Sequence, residues 1–99
     1  TTGGPRRIAV IGGGPAGVEL ALAIRARLHE AAPSRSLDPH SFTVTLVSSG
    51  RPVERLNARA RSRVERALAT RGIVVRQGRV VALDESGATL EDGGRLPAD

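Results

Sequence analysis

Apolar and polar positions divide the chain into two stretches of different period. Ile8-Ala9-Val10-Ile11 is an unbroken apolar run that stops at glycine. That is the pattern of a buried central strand, expected to begin at Arg6 or Arg7. From Ala16 to about Leu28 or Ala31 the chain is rich in Ala, Leu, Glu and Arg, all good helix formers. Val18, Leu22, Ile24 and Leu28 give this helix an apolar stripe, and Pro33 is expected to end it. Residues 33–41 read as a loop by composition. The β-branched run Phe42-Thr43-Val44-Thr45-Leu46-Val47 predicts a second strand, and Ser48-Ser49-Gly50-Arg51-Pro52 a turn. Val53 to Thr70 reads as a second helix with Leu56, Val64 and Leu68 facing inward, closed by Gly72 as its C′ residue. Ile73-Val74-Val75-Arg76 is a third strand.

Beyond Arg76 the helical spacing stops. Arg79 to Leu83, Ala88-Thr89-Leu90 and Arg95-Leu96 are short strand patterns. Between them lie Asp84-Glu85-Ser86-Gly87 and Glu91-Asp92-Gly93-Gly94, which carry hairpin turn chemistry. The order predicts an α/β fold: a Rossmann-type βαβαβ parallel sheet, strand order 3-2-1, with helices and right-handed crossovers. An antiparallel β-meander forms its C-terminal part. There are no internal repeats.

Composition supports a single small domain. The chain has 99 residues, 39% of them hydrophobic, which is globular rather than disordered. Phe42 is the only aromatic residue, so the core must be aliphatic, as suits a parallel sheet covered by helices. With no Cys there is no disulfide, thiolate metal site or redox thiol. All 15 basic side chains are arginine and the net charge is +5. Arginines spread over a helix and loops, without interleaved aromatics, do not make a nucleic-acid surface. No apolar run approaches the ~20 residues of a membrane span. A cytoplasmic location is the default. Residues 1–5 read as a linker, and residues 6–99 as the folded domain.

Gly12-Gly13-Gly14-Pro15-Ala16-Gly17 fits G-x-G-x-x-G. In a chain with 12 glycines the spacing alone means little. Here it follows a strand and opens a helix, the context that makes it a dinucleotide phosphate loop. Gly12 permits the tight turn, Gly14 lets the backbone approach a pyrophosphate, and Gly17 lets helix and strand pack closely. The helix end offers unpaired N–H groups and a positive dipole end, and Pro15 suits its first turn. No Gly-Lys-Ser/Thr follows, which excludes a P-loop. The end of the second strand selects the ribose: a carboxylate there binds a 2′-hydroxyl, whereas a nearby Arg accommodates a 2′-phosphate. Ser48 lies 36 positions past Gly12, and Ser48, Ser49 and Arg51 stand where the carboxylate is missing, with Arg55 close by. That leans towards NADPH over NADH and leaves the choice open.

These residues resemble a known family. IAVIGGGPAGVE from Ile8, VTLVSSG from Val44 and RGIVVRQGRVVALDESGATLEDGGRLPAD from Arg71 are similar, in order, to the NAD(P)H domain of the pyridine nucleotide-disulfide oxidoreductases. The nearest branch is the type II NADH dehydrogenase-like flavoproteins. The resemblance implies a domain inserted within an FAD domain, binding NADH or NADPH for hydride transfer to FAD. Gly17-Val18-Glu19 matches the Gly-x-Glu that follows the loop in that domain, and implies that Glu19 lies near the nicotinamide, beside the flavin. From the residues alone Glu19 is an exposed acid in a first helical turn. Val81 and Ala82 match the segment flanking the adenine; read alone, Val81 is core. Two departures are expected to matter. The family's usual Glu at the strand end is Ser48 here, and its final apolar strand after LPAD does not follow. The chain therefore reads as a domain excised from a larger FAD-containing chain, membrane-peripheral if the type II branch holds. Its partners would be the dinucleotide and the FAD domain of the parent chain. No catalytic residue and no metal site is expected; His29 and His40 read as solvated. The rival readings are an FAD-binding domain and a non-catalytic Rossmann-like interaction domain.

Overall fold

The computed structural model describes residues 6–35 and 41–98, and the side chains among them except those of 32–35. The linker assigned to residues 1–5, and His40, lie outside the described residues. The apolar run at Ile8 becomes β1 (Arg6–Ile11), and the glycine loop leads into α1 (Pro15–Arg35). β2 (Phe42–Ser48) follows, then α2 (Ala58–Thr70) and β3 (Val74–Gln77). The meander is β4 (Val80–Asp84), β5 (Gly87–Leu90) and β6 (Arg95–Pro97).

The first three strands form a parallel sheet with β2 between β1 and β3, the expected 3-2-1 order. Ile8 pairs with Val44, and Val10 with Leu46, which alternation places on one face of the sheet. Val10, Val44 and Leu46 join Val18 and Ala21 of α1, Leu68 of α2 and Ile73 in one aliphatic core. Both helices therefore draw on the same sheet face. The opposite face carries Ile11, paired with Val47; Val47 is buried while Ile11 is exposed. Arg25 ties α1 to the start of β2 through Nη2, which donates to the Phe42 carbonyl at 3.0 Å.

β4, β5 and β6 form a separate antiparallel sheet in sequence order. Its middle strand supplies buried Ala88 and Leu90. The connection into β4 lies tight on that strand: a Cβ on Gly78 would stand 3.1 Å from a Leu90 methyl.

Three expectations need correction. Pro33 does not end α1, which continues to Arg35. A proline lacks only its own N–H, so a single bond back to the preceding turn is lost and the last turn still forms. The second helix begins at Ala58 rather than Val53, because Asn57 caps it: its Oδ1 accepts from the Ala60 N–H at 2.9 Å. Leu56, expected inside that helix, precedes it and is exposed. Val81 is not core. The β4–β5 register shifts between Val80 and Ala82, and Val81 is 58% exposed, since a bulge leaves its extra residue unpaired.

Candidate functional site

The glycine loop is held from three sides. Gly12 N–H donates to the Val47 carbonyl at 2.8 Å, which carries the sheet one step past β1. Gly12 has φ +128°, a conformation open to glycine alone. A Cβ on Gly17 would stand 1.9 Å from the Gly12 carbonyl oxygen, so only glycine lets the first turn of α1 sit on the loop. Gly13 is as constrained, although the fingerprint leaves it free. Its missing Cβ leaves the space beside Ser48 Oγ, 2.0 Å away, and its carbonyl accepts from Val53 N–H at 2.7 Å. Val53 holds that bond at φ +49°, an outlier for a β-branched residue of the kind that collects at functional sites.

Gly14 differs from its neighbours. It is exposed, and a Cβ there would meet nothing within 4 Å. The first helical bond runs from Val18 N–H to the Gly14 carbonyl at 3.1 Å. The amides of Ala16 and Gly17 thus precede the hydrogen-bonded ladder and form the positive end of a 21-residue helix.

In front of this end lies an open groove of about 450 Å³. It brings together Gly13, Gly14, Pro15, Ser48, Ser49 and Arg51, six of the residues singled out by sequence. A second hollow of about 360 Å³ adjoins it through Gly13 and Ser49, and is bordered by Gly12, Arg79 and Val80. Val80, not Val81, faces that hollow. Glu19 is exposed on α1, past the first turn in which it was expected, and does not line the groove. Ser48 is buried beneath Gly13, whereas Ser49 is exposed. Another hollow, of about 510 Å³, lies at the amino ends of β2 and β3, between Arg25, His29, Phe42 and Arg71. Ligands of such sheets bind outside the carboxyl ends of the strands, so the glycine groove is the candidate.

Two carboxylates at the groove were not expected. Glu54 lines it, with Oε2 placed 3.0 Å from where a Cβ on Gly50 would be. Glu65 reaches from α2 to Arg51: Arg51 Nε and Nη2 donate to its two carboxylate oxygens, each at 2.9 Å. These hydrogen bonds raise the Arg51 pKa above its ordinary value and lower that of Glu65 below it. Sequence reasoning missed both acids because neither sits at the end of β2. The turn at residues 49–56 and the placement of α2 bring them there. Among the described residues no group of His, Cys, Asp and Glu could hold a metal ion. Nor is any described helix long and apolar enough to cross a membrane.

The sequence profile of the pyridine nucleotide-disulphide oxidoreductases matches residues 1–99. The chain belongs to that family. A solved structure with the same fold is LpdA of Mycobacterium tuberculosis, with a TM-score of 0.68 and 22% sequence identity over 99% of this chain. The chain spans 20% of that LpdA chain. No curated protein matches it. Membership of the oxidoreductase family agrees with a Rossmann-like sheet whose glycine loop opens the first helix.

Proposed function

We propose that this chain is the nicotinamide-nucleotide domain of an FAD-dependent oxidoreductase. It binds NADH or NADPH and positions the nicotinamide for hydride transfer to a flavin held by another domain. The observation that carries the reading is the loop itself. Gly12, Gly13 and Gly17 are fixed by backbone and side-chain contacts, while Gly14 is left open in front of a helix end. A diphosphate fits that arrangement: the backbone can approach it at Gly14, and the amides of Ala16 and Gly17 point at it. The bound dinucleotide would supply the hydride, and the redox chemistry belongs to the cofactors. The chain's residues bind and orient. Gly14, Pro15 and the end of α1 would hold the diphosphate; Ser49 and its neighbours at the end of β2 would meet the adenosine ribose.

Calorimetric titration with NADH, NADPH and FAD tests the reading. Saturable binding of a nicotinamide nucleotide is expected. Retention of yellow flavin, with no nicotinamide nucleotide bound, would instead make this the FAD-binding domain. No binding of any of the three would leave a non-catalytic interaction domain.

A further inference from the structure

We infer that the groove selects an adenosine ribose with a free 2′-hydroxyl, which donates to Glu54, and that Glu65 withholds Arg51 from a 2′-phosphate. The nucleotide is then NADH rather than NADPH. This inference rests on the function proposed above and assigns the specificity of that site.

β2 ends in Ser48, which is buried under Gly13, so no strand-end side chain presents a carboxylate. The turn restores one. Glu54 is exposed and lines the groove beside Gly50, and among the described residues it makes no hydrogen bond or ion pair. An ionised carboxylate only accepts hydrogen bonds. A ribose hydroxyl can donate to it, whereas a phosphate dianion offers no donor and is repelled. Gly50 leaves room for the acid, because a Cβ there would press on Oε2 at 3.0 Å.

Arg51 is the side chain that would otherwise favour a 2′-phosphate. Its Nε and Nη2 edge is already matched to both oxygens of Glu65, the fork-to-fork geometry a phosphate would need. A phosphate would have to displace Glu65 or share the guanidinium with it, next to a second acid at Glu54. The groove's other cation is Arg55, adjacent to Glu54 in the chain. It gives the opposing arm of the test.

The experiment is side-by-side titration of NADH and NADPH into the intact protein that carries this chain. The wild type is compared with Glu54→Ala, Glu65→Gln and Arg55→Ala, and thermal midpoints establish that each variant is folded. The wild type is expected to favour NADH by about tenfold or more, the effect of one hydrogen bond to a charged group. Glu54→Ala should weaken NADH by a similar factor and leave NADPH nearly unchanged. Glu65→Gln should tighten NADPH selectively. Three results would overturn the inference while leaving the proposed function intact: a wild-type preference for NADPH, whose loss in Arg55→Ala would assign the 2′-phosphate to Arg55; an NADH preference that survives Glu54→Ala; or no gain in NADPH affinity in Glu65→Gln. Binding of neither nucleotide would overturn both.

Discussion

Gly14 and Gly17 occupy the same motif, but their surroundings give them opposite consequences on substitution. Gly14→Ala adds a methyl where nothing lies within 4 Å, so the fold should keep its thermal midpoint. The same methyl stands where the diphosphate is expected, so nucleotide affinity should fall by about tenfold or more; an unchanged Kd would move the diphosphate elsewhere. Gly17→Ala puts a methyl 1.9 Å from a backbone oxygen, so it should lower stability and binding together. The motif glycines were legible because their spacing coincided with a strand-to-helix junction. Gly13 was legible as a member of the loop but its constraint was not, since that comes from Ser48, a residue distant in sequence. Glu54 and Glu65 were not legible as groove residues, because nothing local marks a carboxylate that tertiary folding carries into a groove or onto an arginine.

At the scale of elements, centres were readable and ends were not. The apolar runs placed all three parallel strands to within a residue or so, because burial on the sheet demands them. The start of α2 was set by one side chain, Asn57, which the helix-forming run around it concealed. Asn57→Ala should cost about 1 kcal/mol, the usual worth of an N-cap, measured as a lower urea midpoint with an unchanged slope. The meander has its own electrostatic clasp, between the end of β4 and the start of β6. Arg95 donates to Asp84, and so do the backbone N–H and hydroxyl of Ser86. First Arg95 and then Ser86 hold the Asp84 carboxyl well below the usual carboxylate range. A depressed folded pKa contributes stability that is present above the unfolded value of about 3.9 and is lost as pH falls towards the folded one. Asp84→Asn should therefore lower the thermal midpoint at pH 7, and should flatten its decline below pH 4. An acid limb identical to wild type would show that Asp84 does not carry it.

For the whole molecule, stability rests on a small aliphatic core in which the middle strand is central. Leu46 is fully buried in β2, between the strands that carry Val10 and Val75. Leu46→Ala should cost about 2–5 kcal/mol, a large part of the ~5–15 kcal/mol typical of a domain, and denaturant unfolding would measure it. The sequence alone determined the α/β class, the parallel order of three strands, the meander and the glycine loop between β1 and α1. Each of these follows from local period or from spacing along the chain. Only the tertiary structure decided what surrounds the loop. It put Ser48 under Gly13, turned Glu54 into the groove, paired Arg51 with Glu65 and left Val81 outside. Those outcomes depend on the path of a turn, the start of a helix and a bulge in a strand. They bring together residues far apart in sequence, and local patterns of apolar and polar side chains carry no record of such meetings.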